Sequence, residues 1–272
     1  MALTEFQRTI CRLIARHRIQ SGESYVAGGV ALNTVLGAPR LSRDIDLFHD
    51  TEAALAATWA ADRRLLEASG YRVAVDRERA GFVEATVGKG GEAVLMQWAR
   101  DSAYRFFPLV AHEEFGLTLH PFDLATNKVL ALVGRLEVRD WLDAIHCHDG
   151  VQRLGFLAWA ACGKDPGFSP PQILEQAGRA RYAAAEVAAL SFDGPTPDAA
   201  ALSRSWHAML DEARSLVTAL PPEEAGKCVV NEGGTLFRGG LVELSAALAA
   251  NTVRFHAGSI RGAWPVLKTP GA

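Results

Sequence analysis

The stretch Tyr25–Phe48, YVAGGVALNTVLGAPRLSRDIDLF, decides the fold. With Ser24 in front of it, YVA is a short apolar run that ends on Gly28-Gly29, and VALNTVL keeps helical spacing until Gly37 and Pro39 stop it. SRDIDLF then alternates Asp44 and Asp46 against Ile45 and Leu47, the period of a strand. The order is strand, turn, helix, strand. An unpaired carboxylate inside an apolar segment is costly, so two of them on one strand face call for a purpose. Both point the same way, near enough to share divalent cations. Gly28-Gly29, where the first strand meets the helix, lets a phosphate approach bare backbone N–H groups at a helix N-terminus.

Working outward, residues 4–20 carry Phe6, Ile10, Leu13, Ile14 and Ile19 at helical spacing behind a Thr4 cap. After the opening stretch, DTEAALAATWAADRRLLEASG is an alanine-rich helix. Three β-rich runs follow, YRVAVDR, GFVEATVGK and EAVLMQWA, with turns at Gly81 and Gly88–Gly91. Residues 125–150 are helical with a break near Gly134, and beyond about residue 151 strand signals vanish among alanine-rich segments separated by GKDPGFSPP, FDGPTPD and LPPEEAG. The expected fold class is α/β: a mixed-sheet core over residues 1–150, followed by an all-helical C-terminal module over residues 151–272.

The bulk numbers narrow the partners. A chain of 272 residues, 49% hydrophobic and 22% charged, has material for a large core. Its formal net charge of -3 gives no general attraction to nucleic acid or to an anionic membrane. No run approaches the roughly 20 apolar residues of a membrane helix, and the charged N-terminal segment is unlike a secretory signal, so no membrane partner and a cytoplasmic location are expected. Four cysteines without CxxC spacing fit reduced thiols better than a disulfide framework or a zinc knuckle. P-loop and Rossmann glycine fingerprints are absent, as is a Gly-x-Ser-x-Gly elbow, which removes those three enzyme classes.

Taken together, Gly28-Gly29, the RLSRDIDLF run from Arg40 to Phe48 and DLATNKVLALVGRLEVRDWLDAI at residues 123–145 resemble the AbiEii/AbiGii toxin-type group of nucleotidyltransferases, relatives of DNA polymerase beta. The resemblance covers roughly residues 20–150 and implies transfer of an NMP group from an NTP to an acceptor, with release of pyrophosphate. It implies that Asp44 and Asp46 hold Mg²⁺, that Gly28 and Gly29 flank the triphosphate and that Lys128 reaches the phosphates. Arg40, Ser42 and Arg43 would shape the pocket, and Asp140 would orient Lys128 or Arg139, or touch the nucleotide. The acceptor would be a tRNA end or a protein, and a cognate antitoxin would be a partner.

The pattern departs from the fold's habit at one point. Such folds place a third carboxylate on a later strand beside the DxD pair, and the run that should supply it shows Gln97 between Met96 and Trp98. A neutral amide is a poor metal ligand and takes no proton at neutral pH. Three readings stay open: Asp101 just past that strand, preferred here because Ser102 and Arg105 accompany it; Glu84 on the neighbouring strand; or two carboxylates only, giving a catalytically weakened nucleotide-binding protein on the same fold. HCHD, His146–Asp149, points its side chains in different directions and reads as imidazolium at a helix C-terminus rather than a metal site. The YRFFP run at residues 104–108 reads as packing.

Overall fold

The computed structural model describes residues 3–266. In chain order its elements are α1 (Glu5–Ser21), β1 (Ser24–Ala27), α2 (Gly28–Leu36), β2 (Asp44–His49), α3 (Glu52–Ala68), β3 (Arg72–Arg79), β4 (Phe82–Lys89), β5 (Glu92–Arg100), β6 (Tyr104–Arg105), β7 (Val110–His112) and β8 (Gly116–Thr118). Then come α4 (Pro121–Arg135), α5 (Val138–Gly150), α6 (Leu154–Ala161), α7 (Pro170–Ala177), α8 (Ala184–Ala188), α9 (Ala199–Ala219), β9 (Cys228–Asn231), α10 (Leu241–Ala249), β10 (Val253–His256) and β11 (Ser259–Ile260). Two compact units emerge: residues through Ala103 with Leu109–His120 and Ser191–Gly194, and Tyr104–Pro108 with Pro121–Leu190 and the chain from Pro195 onward.

The first unit is built on a seven-stranded mixed sheet in the order β3-β4-β5-β2-β1-β8-β7. β2 runs antiparallel to β1 and parallel to β5, so it lies inside the sheet with neighbours on both sides. Its burial alternates as the sequence demands: Ile45 and Leu47 are fully enclosed, while Asp44 and Asp46 share the other, partly open face. β4 and β5 alternate in phase with it, sending Val83, Ala85, Met96 and Trp98 into the core and Glu84 and Gln97 to the face of the aspartates. That core face is closed by α1 and α3.

One buried polar cluster fixes those helices. Asp62 of α3, wholly enclosed, accepts from Arg18 Nη2 (2.6 Å) and from Trp98 Nε1 (2.8 Å), and His17 Nδ1 lies 2.7 Å from its other oxygen. The α1 stripe read from apolar spacing therefore ends differently. Ile19 is 62% exposed and Arg18 is 0% exposed, because Asp62 supplies the countercharge that makes burial of a guanidinium tolerable. At the start of α1, Thr4 and Gln7 form a reciprocal capping box, as the Thr4 cap leads one to expect.

The second unit centres on α6, all eight of whose residues are buried. A helix apolar all round needs neighbours all round, and α4, α7 and α9 supply them. The approach of α9 is close: a Cβ on Gly155 would stand 2.9 Å from Leu216 and 3.0 Å from Ala213. α4 and α5 belong to this unit, so the packing boundary falls upstream of residue 150. The module is mainly helical and also contains the antiparallel pairs β9–β10 and β6–β11, strands too short to register as periodic runs in the sequence. The YRFFP run packs as read. Phe106 and Phe107 are buried and donate their backbone N–H groups to the enclosed Asp123 at 2.9 and 3.0 Å.

His148 corrects the imidazolium reading of HCHD. Burial pushes its pKa down more than Asp149 and Glu212 raise it, and Nδ1 accepts from the Leu154 N–H at 3.1 Å, a bond for the neutral ring. No helix among the described residues is long and apolar enough to cross a membrane.

His49, enclosed beneath β2 with Thr58 Oγ1 2.6 Å from Nε2, has its pKa lowered from 6.5 to about 4, first by burial and then by the Arg18 charge. The unfolded chain takes up this proton near the ordinary value and the folded chain does not, so stability is full above that value and falls as pH drops toward the folded one. Urea denaturation should show a loss of about 2 kcal/mol from this group between about pH 7.5 and 5. The loss should flatten in His49→Gln.

Candidate functional site

The two halves of the opening stretch meet in the first unit. In the β1–β2 ladder Ala27 pairs with Asp46, which brings the strand-to-helix turn directly beside the second aspartate. Gly28 has φ +67°, a region open mainly to glycine, and a Cβ there would lie 2.0 Å from Asp46 Oδ2. The carboxylate occupies the place a side chain would take. Gly29 is crowded from the other side, where a Cβ would meet Arg40 Nη2 at 2.6 Å and Ser42 Oγ at 3.2 Å. Thus Gly28, Gly29, Asp46, Arg40 and Ser42 converge on the first turn of α2, with Asp44 one strand repeat from Asp46, roughly 6.6 Å along β2.

Each part has a local cause. α2 begins at Gly28 with no side-chain cap and no acidic residue in its first turn, so its leading N–H groups are not satisfied by a side chain of the turn itself. The Ser42–Arg43 backbone is tethered from α1, where Gln7 Nε2 donates to Ser42 O at 2.9 Å and to Arg43 O at 3.4 Å. Arg40 is 4% exposed, and its neighbours Pro39 and Leu41 bond to the chain at Ser191–Asp193. Arg43, by contrast, is exposed.

The row that should hold a third acid is visible in the register. Asp46 pairs with Gln97 across β2–β5, and Gln97 pairs with Glu84 across β4–β5. Gln97 Nε2 donates to Glu84 Oε2 at 2.8 Å, and Arg77 stands 3.5 Å from the other Glu84 oxygen. Asp101 lies elsewhere: it is one residue past the His49–Arg100 pair and four past Gln97, about 13 Å along the strand. Its Oδ1 accepts from the Ser102 N–H at 2.7 Å at the strand end. Of the two acids weighed for the third position, Glu84 is the one in line with Asp46.

In the second unit Lys128 is 6% exposed and held by Asp140 (2.9 Å) and Asp143 (3.0 Å). Burial alone would lower its pKa, but Asp143 and Asp140 outweigh it and hold the ammonium above its ordinary value. Asp140 also accepts from Arg135 Nε (2.6 Å) and Nη2 (2.9 Å); against the cost of burial, these bonds and Lys128 keep its carboxyl below the usual range. Arg139 pairs with Glu137 at 2.6 Å, so Asp140 orients Lys128 and Arg135, whose guanidinium the sequence did not mark. Arg135 follows α4's apolar stripe at its last position, five residues before Asp140, and that proximity across the α4–α5 turn was its only sequence signal.

The Asp46–Gly28 contact is open to a controlled test. Gly28→Ala should cost about 1–3 kcal/mol of stability through the strained φ and, by displacing Asp46, abolish any thermal upshift with Mg²⁺ and NTP. Gly37→Ala, with φ +63° and no atom within 4 Å of the added Cβ, is the control. It should lose similar stability while keeping the ligand response.

Comparison with known proteins gives the family and the fold. Residues 12–216 match the family described as nucleotidyl transferase AbiEii toxin, Type IV toxin–antitoxin system. Among solved structures, a candidate nucleotidyltransferase from H. pylori is similar at a TM-score of 0.56 and 14% identity, over 80% of this chain and 99% of that one. JHP933 from Helicobacter pylori gives the same TM-score and identity over 92% of this chain and 99% of its own. At these identities the likeness is one of fold. No curated protein matches the chain. With the match spanning most of the sequence, the chain belongs to the AbiEii nucleotidyltransferase toxin family.

Proposed function

We propose that the protein transfers an NMP group from an NTP to an acceptor hydroxyl with release of pyrophosphate. The observation that carries this reading is the seat of the Asp46 carboxylate against Gly28, beside an uncapped helix start lined by Arg40 and Ser42. A triphosphate there would meet backbone N–H groups, a guanidinium that forks onto phosphate oxygens and a hydroxyl donor. Arg40 and Ser42 would hold the leaving pyrophosphate's oxygens while the acceptor oxygen attacks the α-phosphorus.

The donor set also fits Mg²⁺. That ion is commonly bound by one or two carboxylates together with substrate phosphates and water. Asp44 and Asp46 supply such a pair, and among the described residues no group of three His, Cys, Asp or Glu stands ready to hold a metal without substrate. Bound by these aspartates with the triphosphate, the ion would neutralise charge on the leaving group. We assign Lys128 to the triphosphate on the family resemblance. Asp140 and Asp143 hold its ammonium within the second unit.

The acceptor is assigned to tRNA or protein, and the Type IV system of the family supports a cognate antitoxin as partner. Incubating the protein with each labelled NTP, Mg²⁺ and total RNA should give label transfer that Asp44→Ala and Asp46→Ala lower by at least a hundredfold. One observation favours a second reading: Gln97, a neutral amide, stands in the row beside Asp46. On that reading the protein binds NTP, shows a ligand-dependent thermal upshift and transfers label to no acceptor.

A further inference from the structure

The chain from Pro121 to Leu190 packs in the second unit, as does the chain from Pro195 onward, yet the four residues between, Ser191–Gly194, pack with the first. They attach at one place. Leu41 N–H donates to Ser191 O at 2.9 Å and Asp193 N–H donates to Pro39 O at 2.7 Å, which makes Arg40 and Phe192 an antiparallel bridge pair. Since the bonds flank the pair instead of joining its two members, this is the narrow kind of antiparallel pairing. Its α-carbons stand about 4.5 Å apart with both side chains on the same face.

The Arg40 side chain on that face is the one whose guanidinium lies against Gly29. Phe192 therefore shares a face of the bridge with the arginine that reaches the phosphate cradle. It is half-buried, keeping part of its surface open next to an almost fully enclosed arginine. An aromatic residue at the edge of a triphosphate seat has an evident use, because a nucleobase offers a flat face whatever its hydrogen-bonding edge.

We propose that the Ser191–Gly194 strap is a wall of the nucleotide site: its backbone holds Arg40 over Gly29, and Phe192 stacks on the base of the NTP. The inference rests on the phosphate-seat reading above and adds to it the base end of the substrate. Stacking of this kind tolerates every base, so Phe192 strengthens binding of all four NTPs rather than choosing among them.

Calorimetric titration of the full chain with an NTP and with inorganic tripolyphosphate, both with Mg²⁺, separates the possibilities. Phe192→Ala should weaken NTP about tenfold, the loss of one base–aromatic stack, and leave tripolyphosphate affinity unchanged. Phe192→Leu, which keeps apolar bulk in the strap without an aromatic face, should behave like Phe192→Ala; Phe192→Trp should retain NTP affinity. Unchanged NTP affinity in the alanine and leucine variants overturns the proposal, as does an equal loss of both ligands, which would make Phe192 a mere support for Arg40. If the unaltered protein binds neither ligand, the phosphate seat itself falls and this wall with it.

Discussion

Everything at the site depends on the period of two in β2. Ile45 and Leu47 are wholly enclosed beneath the sheet, and their burial fixes which way Asp44 and Asp46 must point. A slip of one residue would bury two carboxylates and expose two large apolar side chains, a cost no short strand could sustain. The strand is held in that register from both sides, by β1 and by β5, so the aspartates stand on an inner strand of a braced sheet rather than on a loop. Such rigidity keeps the spacing of the two carboxylates set.

Around this strand the protein spends backbone on closeness. The positive φ of Gly28 admits the Asp46 oxygen where a side chain would otherwise be, and Gly29 admits the Arg40 guanidinium. Arg40 is in turn set by backbone bonds to Ser191 and Asp193, and Ser42 by Gln7 of the first helix. The candidate site is thus assembled from four stretches of chain: the start of α1, the turn into α2, the loop before β2 and a four-residue return late in the sequence. Backbone bonds from the return flank Arg40, and Gln7 holds the Ser42–Arg43 backbone, so both sides of the loop before β2 are fixed.

The opposite face of the sheet carries no visible chemistry but makes the first face possible. Asp62 gathers Arg18, His17 and Trp98 into one enclosed cluster that ties α1 and α3 to β5. This arrangement shows where reading by pattern fails. Apolar spacing marked Ile19 for the core and passed over Arg18, because a stripe records hydrophobicity and is blind to a countercharge forty-four residues away in sequence. Similarly, β9 and β10 are four residues each and escaped notice in a segment otherwise rich in helix formers.

The sequence by itself determined the local grammar: the strand–glycine–helix–strand order, the Thr4 cap, the DxD alternation and the absence of an acid at position 97. Those are short-range facts, set by side-chain period and backbone permissiveness within a few residues. Only the tertiary structure decided what stands beside what. It aligned Glu84, not Asp101, with Asp46, because register across two ladders and not distance along the chain sets which carboxylates share a row. It also laid Phe192 next to Arg40, a pairing across about 150 residues that no local pattern encodes, since a single narrow bridge leaves no periodic trace in either partner's sequence.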